Sequence, residues 1–582
     1  MKVYEYFQIL RSNFPEIKDN EEVKVNLLEL SKIIHSSPRN TKLLLIRMID
    51  KEWISFKSGR GRGNLSTLVF KVDIQQIFKE QVENFLTKRD FSNALAFLQK
   101  NWNYITTKDE IFKTIYSHFG LQETTIGSKV VETLRVPIHR KLITLNPSEA
   151  FYSFDTHLIR QIYNTLVIFD EQTNKLMPSL AHYWEFNKTH TEWTFYIRKK
   201  IHFHNGAELT AEDVFYSFHT LTKYKSSWIM NRIQSIEVIS RYCIKFFLFE
   251  SNQMFPLFLS YPQASIIALG SNPDNQPVGT GPYKVMHFSA DNCYLQAFNN
   301  YFEHPPQVDH VEIYNLASLH YVEKNDSFKR FDIFNETVES NKVKLDNFIE
   351  KHEISGPTVL TLNHHKQSVI NDHLFKKAIK KLVNTENLIH NLGGWRSSPS
   401  NGFINKEKPI ANIEIGIQLL YQSRYEGETL QLYTFPRHRK DAYWLTKELK
   451  KYGIKVNVNI IDWAQMLLSK KVHEADMILF EAETSKGVLR LLEYYLSDYS
   501  FIQKHLSKDN TNYIETILNK TMQKSSSIDV LIESLSSIDD YIAENTAIIF
   551  LANVLFKSYF HPSLAVKANE RGWIDYKYYW VK

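Results

Sequence analysis

Between Asn26 and Ile34 the apolar positions Leu27, Leu28, Leu30, Ile33 and Ile34 recur at helical spacing, and His35-Ser36-Ser37 then interrupts them. A second helix is predicted from Pro38 to about Lys51, with Ser37 as its N-cap and Pro38 at the first helical position. At a helical rotation of about 100° per residue, Thr41, Leu44, Leu45 and Met48 gather on one face. Arg39, Asn40, Leu43 and Arg47 gather on the opposite one. Residues Trp53 to Lys57 and Leu65 to Val72 read as two strands around the tip Ser58-Gly-Arg-Gly-Arg-Gly-Asn64. Helix, turn, helix and hairpin in that order predict a winged helix-turn-helix within residues 1–72.

Helical patterns continue over Ile74 to Leu86, Asn93 to Gln99 and Glu110 to Phe119, which predicts a helical connector over 73–128. Gly120 to Thr133 is poor in large apolar residues and marks the boundary. Beyond it, strand-like runs (Glu192 to Arg198, Cys243 to Phe249, Val308 to Tyr314, Val456 to Ile461) alternate with helical ones (Ala211 to Leu221, Leu374 to Val383, Ala442 to Lys451). The expected fold is multi-domain, a mainly α winged helix followed by mixed α/β architecture, without repeats or low-complexity tracts.

Charge sharpens this picture. The 582 residues carry a net charge of +6, but residues 31–71 alone hold nine basic and two acidic side chains. A local anionic partner fits such asymmetry better than a basic surface overall. With the predicted geometry, that partner is double-stranded DNA. Arg39, Asn40 and Arg47 are candidates to reach base edges or phosphates, because Arg pairs bidentately with guanine and Asn with adenine. Lys42, Lys57, Arg60 and Arg62 suit phosphate contacts, with Arg62 near a minor groove. The Gly59-Arg-Gly-Arg-Gly63 tract lacks the spacing and the Lys-Ser/Thr ending of a nucleotide loop, and reads as a mobile wing.

Cys243 and Cys293 can form one disulfide at most and read as buried or incidental thiols. Met1 to Asn20 has no unbroken apolar run of the secretory type. The longest apolar run, Ala547 to Phe556, is far short of the ~20 residues that span a bilayer. The expectation is a cytoplasmic protein with no membrane partner.

Several motifs are shared with a known family: Leu176-Met-Pro-Ser-Leu-Ala-His-Tyr-Trp184, Trp193-Thr-Phe-Tyr-Ile-Arg198, Phe203-His-Asn-Gly206 and Leu209-Thr-Ala-Glu-Asp-Val214. Gly279-Thr-Gly-Pro-Tyr283, Phe298-Asn-Asn-Tyr301, Tyr452-Gly-Ile-Lys-Val456 and Ala475-Asp-Met-Ile-Leu479 follow in the same order. From about residue 130 onward the chain resembles the large solute-binding proteins of the oligopeptide, dipeptide and nickel transport family. Coupled to the N-terminal module, it is similar to the SgrR-type bacterial transcriptional regulators.

The resemblance implies a ligand-sensing domain over 129–582, with one lobe of about 129–356 plus 531–582 and another of about 357–530. It also implies a small-molecule ligand in the interlobe cleft, related to sugar phosphates or carbohydrate supply. Carrying over the family's cleft-lining segments points to Thr156 and His157 from one lobe and Trp395, Arg396 and Ser397 from the other. Trp395 would stack on a sugar ring and Arg396 would hold a phosphate bidentately. Peptide-binding relatives carry a Trp-x-x-Asp-Tyr segment where this chain reads Phe480-Glu-Ala-Glu-Thr-Ser485, which puts a peptide ligand in doubt. Glu481 and Glu483 are candidates to face the cleft, alongside a reading as exposed loop acids.

His202 and His204 lack a third ligand, so no metal or other cofactor is expected. Neither a Gly-x-Ser-x-Gly elbow nor a His-Glu-x-x-His motif is present, and no enzyme is expected. The rival reading is the receptor of an ABC-type peptide or nickel transporter. A single recognition module binds modestly, which leaves room for a homodimer on DNA.

Overall fold

The computed structural model describes residues 2–59, 64–116, 118–138, 140–151, 153–222, 227–316, 349–404, 411–462, 465–466, 471–484, 487–560 and 575–579. The chain divides into two units, the first built mainly from residues up to Gln122 and the second from most of the remainder.

In the first unit α1 (Val3–Ser12), β1 (Glu22–Val25), α2 (Leu27–Ile33), α3 (Pro38–Asp50), β2 (Ile54–Lys57) and β3 (Ser66–Phe70) follow in order. The three strands form an antiparallel sheet with β3 in the centre. Alternation along β3 turns Leu68 and Phe70 inward. Phe7 of α1 lies edge-on to Trp53 and Phe70, with ring centroids 5.6 and 5.9 Å away. Burying such a side chain contributes roughly 1.5–3 kcal/mol, enough to seat α1 firmly on the hairpin. The expected pattern contained neither α1, although Tyr4, Phe7 and Leu10 recur at helical spacing, nor β1, whose four residues Glu-Val-Lys-Val carry too little signal for a strand.

The connector helices α4 (Ile74–Thr87), α5 (Phe91–Asn101) and α6 (Lys108–Tyr116) share this core rather than merely linking domains. Phe97 of α5 meets both Tyr4 of α1 and Phe78 of α4 edge-on, at 5.2 and 5.9 Å.

The second unit holds the two-lobed α/β arrangement. Its first lobe has a five-stranded sheet in the order Tyr283–Phe288, Asn292–Ala297, His310–Asn315, Lys129–Ile138, Gly120–Ile126. The stretch Gly120 to Thr133, expected to be a boundary, holds the division between the two units at Gln122 and Glu123, and is itself mostly strand. A four-stranded antiparallel sheet follows in the order Ile233–Ser240, Cys243–Leu248, Glu192–Ile197, Ala181–Phe186. Thr210 opens the helix Ala211–Leu221 with a capping box to Asp213. Cys243 and Cys293 are buried free thiols in different sheets.

The second lobe is a six-stranded mixed sheet in the order Arg396–Pro399, Ile548–Phe560, Ile349–Leu362, Met477–Glu481, Thr429–Thr434, Lys455–Ile460. This corrects the expected lobe boundaries. Ile548–Phe560 runs antiparallel along Ile349–Leu362, with Ile354 opposite Leu555 and Leu360 opposite Ile549, so this strand belongs to the second lobe's sheet and not to the first lobe. Ala547 to Ala552, the first part of the apolar run to Phe556, is buried at every position, the composition of an interior strand covered on both faces there, which reads as continuous rather than alternating. The return to the first lobe comes later: Tyr283 there donates its hydroxyl to the Tyr576 carbonyl at 3.2 Å.

Gly279 and Gly281 show why the Gly-Thr-Gly-Pro motif needs its glycines. Their φ angles are ordinary, but an added Cβ at Gly279 would lie 2.0 Å from the Ile162 carbonyl oxygen, and one at Gly281 2.4 Å from the Ile162 carbonyl carbon. Beside them, His204 donates through Nε2 to the Gly281 carbonyl and accepts the Gly279 N–H through Nδ1, at 2.9 and 3.3 Å. Both ring nitrogens are committed to backbone, which leaves no lone pair for a metal.

Candidate functional site

In the first unit, α3 is built as its pattern requires. The Ser37 hydroxyl accepts the Asn40 N–H at 3.3 Å, and Thr41, Leu44, Leu45 and Met48 are buried against the module's core. Arg39, Asn40, Lys42 and Arg47 are exposed, as is Lys57 at the end of β2. Among the described residues, Arg39, Lys42, Arg47 and Lys57 make no ion pair or hydrogen bond, so none of those residues neutralises their charge. Asn40 donates its amide to Ser36 Oγ at 2.7 Å, closing the turn between α2 and α3. At the base of the wing the Gly59 N–H donates to Ser66 Oγ at 3.3 Å. Arg60 and Arg62 lie outside the described residues.

In the second lobe a charged cluster sits where the parallel strands Thr429–Thr434 and Met477–Glu481 end, the place at which open α/β sheets bind ligands. Arg437 follows the first strand and pairs with Glu481 of the second at 3.3 Å. Its guanidinium also lies over the Trp395 ring, 5.5 Å from the centroid, while that of Arg396 lies over it at 4.4 Å. Thr358 stands opposite Glu481 in the neighbouring strand. The Thr358 hydroxyl and the Trp395 Nε1–H are buried without a hydrogen-bond partner among the described residues, polar atoms that a bound solute would satisfy.

Arg396 is not the expected phosphate-holding group. Its Nε and Nη2 donate to the two carboxylate oxygens of Asp441 at 2.7 and 2.6 Å, and Nη1 donates to the Gly393 carbonyl at 2.8 Å. The pair is buried, so the fork that would grip a phosphate is already closed on a carboxylate. Trp395, expected to stack on a sugar, already has the guanidinium groups of Arg396 and Arg437 over its ring. Ser397 is exposed and donates to the Asn553 carbonyl at 3.1 Å. Glu481 is a buried strand residue rather than a loop acid.

Thr156 and His157 lie buried in the helix Ser153–Ile162, not in an open cleft. Thr156 donates to the Ser153 carbonyl at 2.8 Å, and His157 packs edge-on to Tyr576. The first lobe instead meets the second through Gln263, which donates to Glu493 Oε1 at 3.0 Å and to the Ala150 carbonyl at 2.8 Å. Tyr261 donates to the Leu489 carbonyl at 2.6 Å, and Phe151 stacks on Tyr499. Glu493 is ion-paired with Arg490, and half-buried Glu483 adds its charge beside the same guanidinium. Arg437, Thr358, Gln263, Arg490 and Glu493 were absent from the sequence expectation. Only Arg437 carried a signal, a cation just past the end of a strand.

His438 lies behind the Arg396–Asp441 pair with its pKa pushed down to about 3, mainly by burial. His505 is held near 4 by burial, donating through Nε2 to the Val472 carbonyl at 3.0 Å. A lowered histidine pKa favours the neutral ring in the folded chain. Its contribution is therefore complete above the ordinary value of 6.5 and is lost as pH falls below it. Unfolding by urea is expected to become easier from pH 6.5 down to pH 4.5, by about 1 kcal/mol per pH unit for each such ring. A flat urea midpoint over this range would contradict the buried neutral assignment.

Comparison with known proteins gives two family matches. Residues 175–487 match the bacterial extracellular solute-binding proteins, family 5, middle domain. Residues 2–120 match the N-terminal domain described as that of a sugar transport-related sRNA regulator. YhjP of Bacillus subtilis is 27% identical over 598 residues, covering 100% of both chains. The HTH-type transcriptional regulator SgrR of Yersinia enterocolitica is 24% identical over 569 residues, covering 96% of this chain and 95% of its own. Among solved structures, the periplasmic binding protein DppA of Helicobacter pylori, in complex with a peptide, superposes with a TM-score of 0.63 at 19% identity. That superposition spans 77% of this chain and 98% of the other.

Proposed function

The chain belongs to the family 5 solute-binding proteins and joins that domain to the N-terminal domain of the SgrR-type regulators, and from this architecture we propose a ligand-responsive, DNA-binding transcriptional regulator. The observation that carries the reading is the exposed face of α3, where Arg39, Lys42 and Arg47 make no ion pair or hydrogen bond among the described residues. Unneutralised cations on the second helix of a winged helix-turn-helix suit the phosphates and base edges of a major groove. The site of action is the cytoplasm, where the DNA is.

The proposed input is a small polar solute bound between the lobes, near Trp395, Arg437, Glu481 and Thr358. Arg437 and Glu481 together offer a cation and an anion to such a solute, so phosphorylated sugars are to be screened alongside short peptides. Closure of the lobes, through contacts such as Gln263 to Glu493, would be the state that the solute stabilises. A solute changes DNA binding only if it prefers one state, and DNA must then change solute affinity by the same factor.

The experiment is a thermal-shift screen of sugar phosphates and di- to tetrapeptides, followed by titration of any stabilising compound with and without bound DNA. A shift in affinity of at least about fivefold is expected, the lower end of ordinary allosteric coupling. Equal affinities would remove the switch from the proposal. A transport receptor is the second reading, favoured by the solute-binding fold alone. Cell fractionation separates the two, since a transport receptor is found outside the cytoplasmic membrane.

A further inference from the structure

The cations of α3 surround something they do not explain. Along the helix, Arg39, Leu43, Ile46 and Asp50 are spaced by four, three and four residues, so they form one stripe. That stripe runs down the middle of the exposed side, opposite buried Thr41, Leu44, Leu45 and Met48. Leu43 is 52% exposed and Ile46 44%, although both sit on a well-packed helix with an adequate core behind it. Single exposed apolar side chains are ordinary. Here two adjacent ones occupy the centre of the face, with Arg47 and Asn40 along one flank and Lys42 along the other.

On the reading of α3 as a groove-entering helix, which this inference rests on, the centre of the exposed face meets base edges and the flanks reach either the neighbouring base edges, as for Arg47, or phosphates, as for Lys42. The apolar group that a major groove offers is the thymine 5-methyl. We infer that Leu43 and Ile46 are specificity-determining residues that read thymine methyl groups, with Arg39 supplying the polar contact nearer the helix N-terminus. Asp50, at the C-terminal end of the stripe, would face phosphates unfavourably and so limits insertion to the first three turns.

A second occupant, another copy of the chain covering the same two side chains, is disfavoured by charge. Arg39, Lys42 and Arg47 of each copy would be brought together around the contact, with Asp50 the single acid on that stripe.

The test starts from selection of random-sequence duplexes by the full-length protein. Enriched duplexes are resynthesised with deoxyuridine at each thymine in turn, which deletes only the methyl group. Wild-type affinity is expected to fall about fourfold at one or two positions, the fold-change worth of one buried methylene. Leu43→Ala is expected to abolish the sensitivity at one position and Ile46→Ala at another, with unchanged thermal melting because both side chains are exposed. Enriched duplexes that bind equally well with deoxyuridine throughout would overturn the inference and leave the DNA-binding reading intact. Failure to enrich any duplex would overturn both. A concentration-dependent dimer of the free protein that Leu43→Ala dissociates, together with deoxyuridine insensitivity, would reassign the face to a second copy.

Discussion

Replacing Asp441 by alanine is expected to destabilise the second lobe by about 3–5 kcal/mol, the loss typical of removing one member of a buried ion pair. Side-chain exposure is 2% for Arg396 and 1% for Asp441, so water cannot stand in for the missing carboxylate. Among the described residues the guanidinium would keep one hydrogen bond, to the Gly393 carbonyl, and its place over the Trp395 ring. Asp441 also lies in the first turn of the helix Arg439–Lys450, where a carboxylate is favoured by the helix dipole and its loss adds to the cost. A lower urea midpoint, with the unfolding slope kept, is the expected result. The double substitution Arg396→Met with Asp441→Leu should recover much of the loss, because it removes the buried charge along with its partner. An unchanged midpoint for Asp441→Ala would show that the pair is not structural and would restore Arg396 as a ligand-binding candidate.

That pair shows where the sequence stopped being legible. Trp395-Arg396 beside two glycines looked like a cleft segment, and nothing local revealed that an aspartate 45 positions later closes on the guanidinium. Buried long-range pairs leave no periodic trace. Contacts set by periodicity were readable: the four core positions of α3, its Ser37 cap and Pro38 start, and the two hairpin strands all follow from local pattern. β1 was missed because its signal is four residues long, whereas α1, with Tyr4, Phe7 and Leu10 at helical spacing, carried a readable pattern. The lobe boundary was missed because Ile548–Phe560, an interior strand, has the apolar composition of any buried segment. The inward turn of Thr156 and His157 likewise depends on Tyr576, which returns from the far end of the chain.

The simultaneous substitution of Arg39 and Arg47 by alanine is expected to abolish specific DNA binding while leaving the fold unchanged. Eight residues at a rise of ~1.5 Å put the two Cα atoms about 12 Å apart on one side of α3, close to the repeat of a few base pairs. At that separation, and with no shared partner, their contributions should add. If each makes a bidentate contact to a base, each is worth about 1–3 kcal/mol, so the pair accounts for about 2–6 kcal/mol. Folding should not suffer, because both side chains are exposed and neither has an ion pair or hydrogen bond among the described residues. Salt separates reading from mere attraction. An arginine that only neutralises phosphate reduces the slope of log affinity against log salt by about 0.9 on removal and weakens all sequences alike. Lys57→Ala is expected to behave in that way. Arg39→Ala with Arg47→Ala should instead collapse the ratio of specific to non-specific affinity, with the salt slope falling by less than the about 1.8 that two phosphate contacts would give. Binding isotherms at three or more salt concentrations, with circular dichroism melts as the folding control, decide between the two. A double variant that keeps the wild-type specificity ratio would remove α3 as the reading helix.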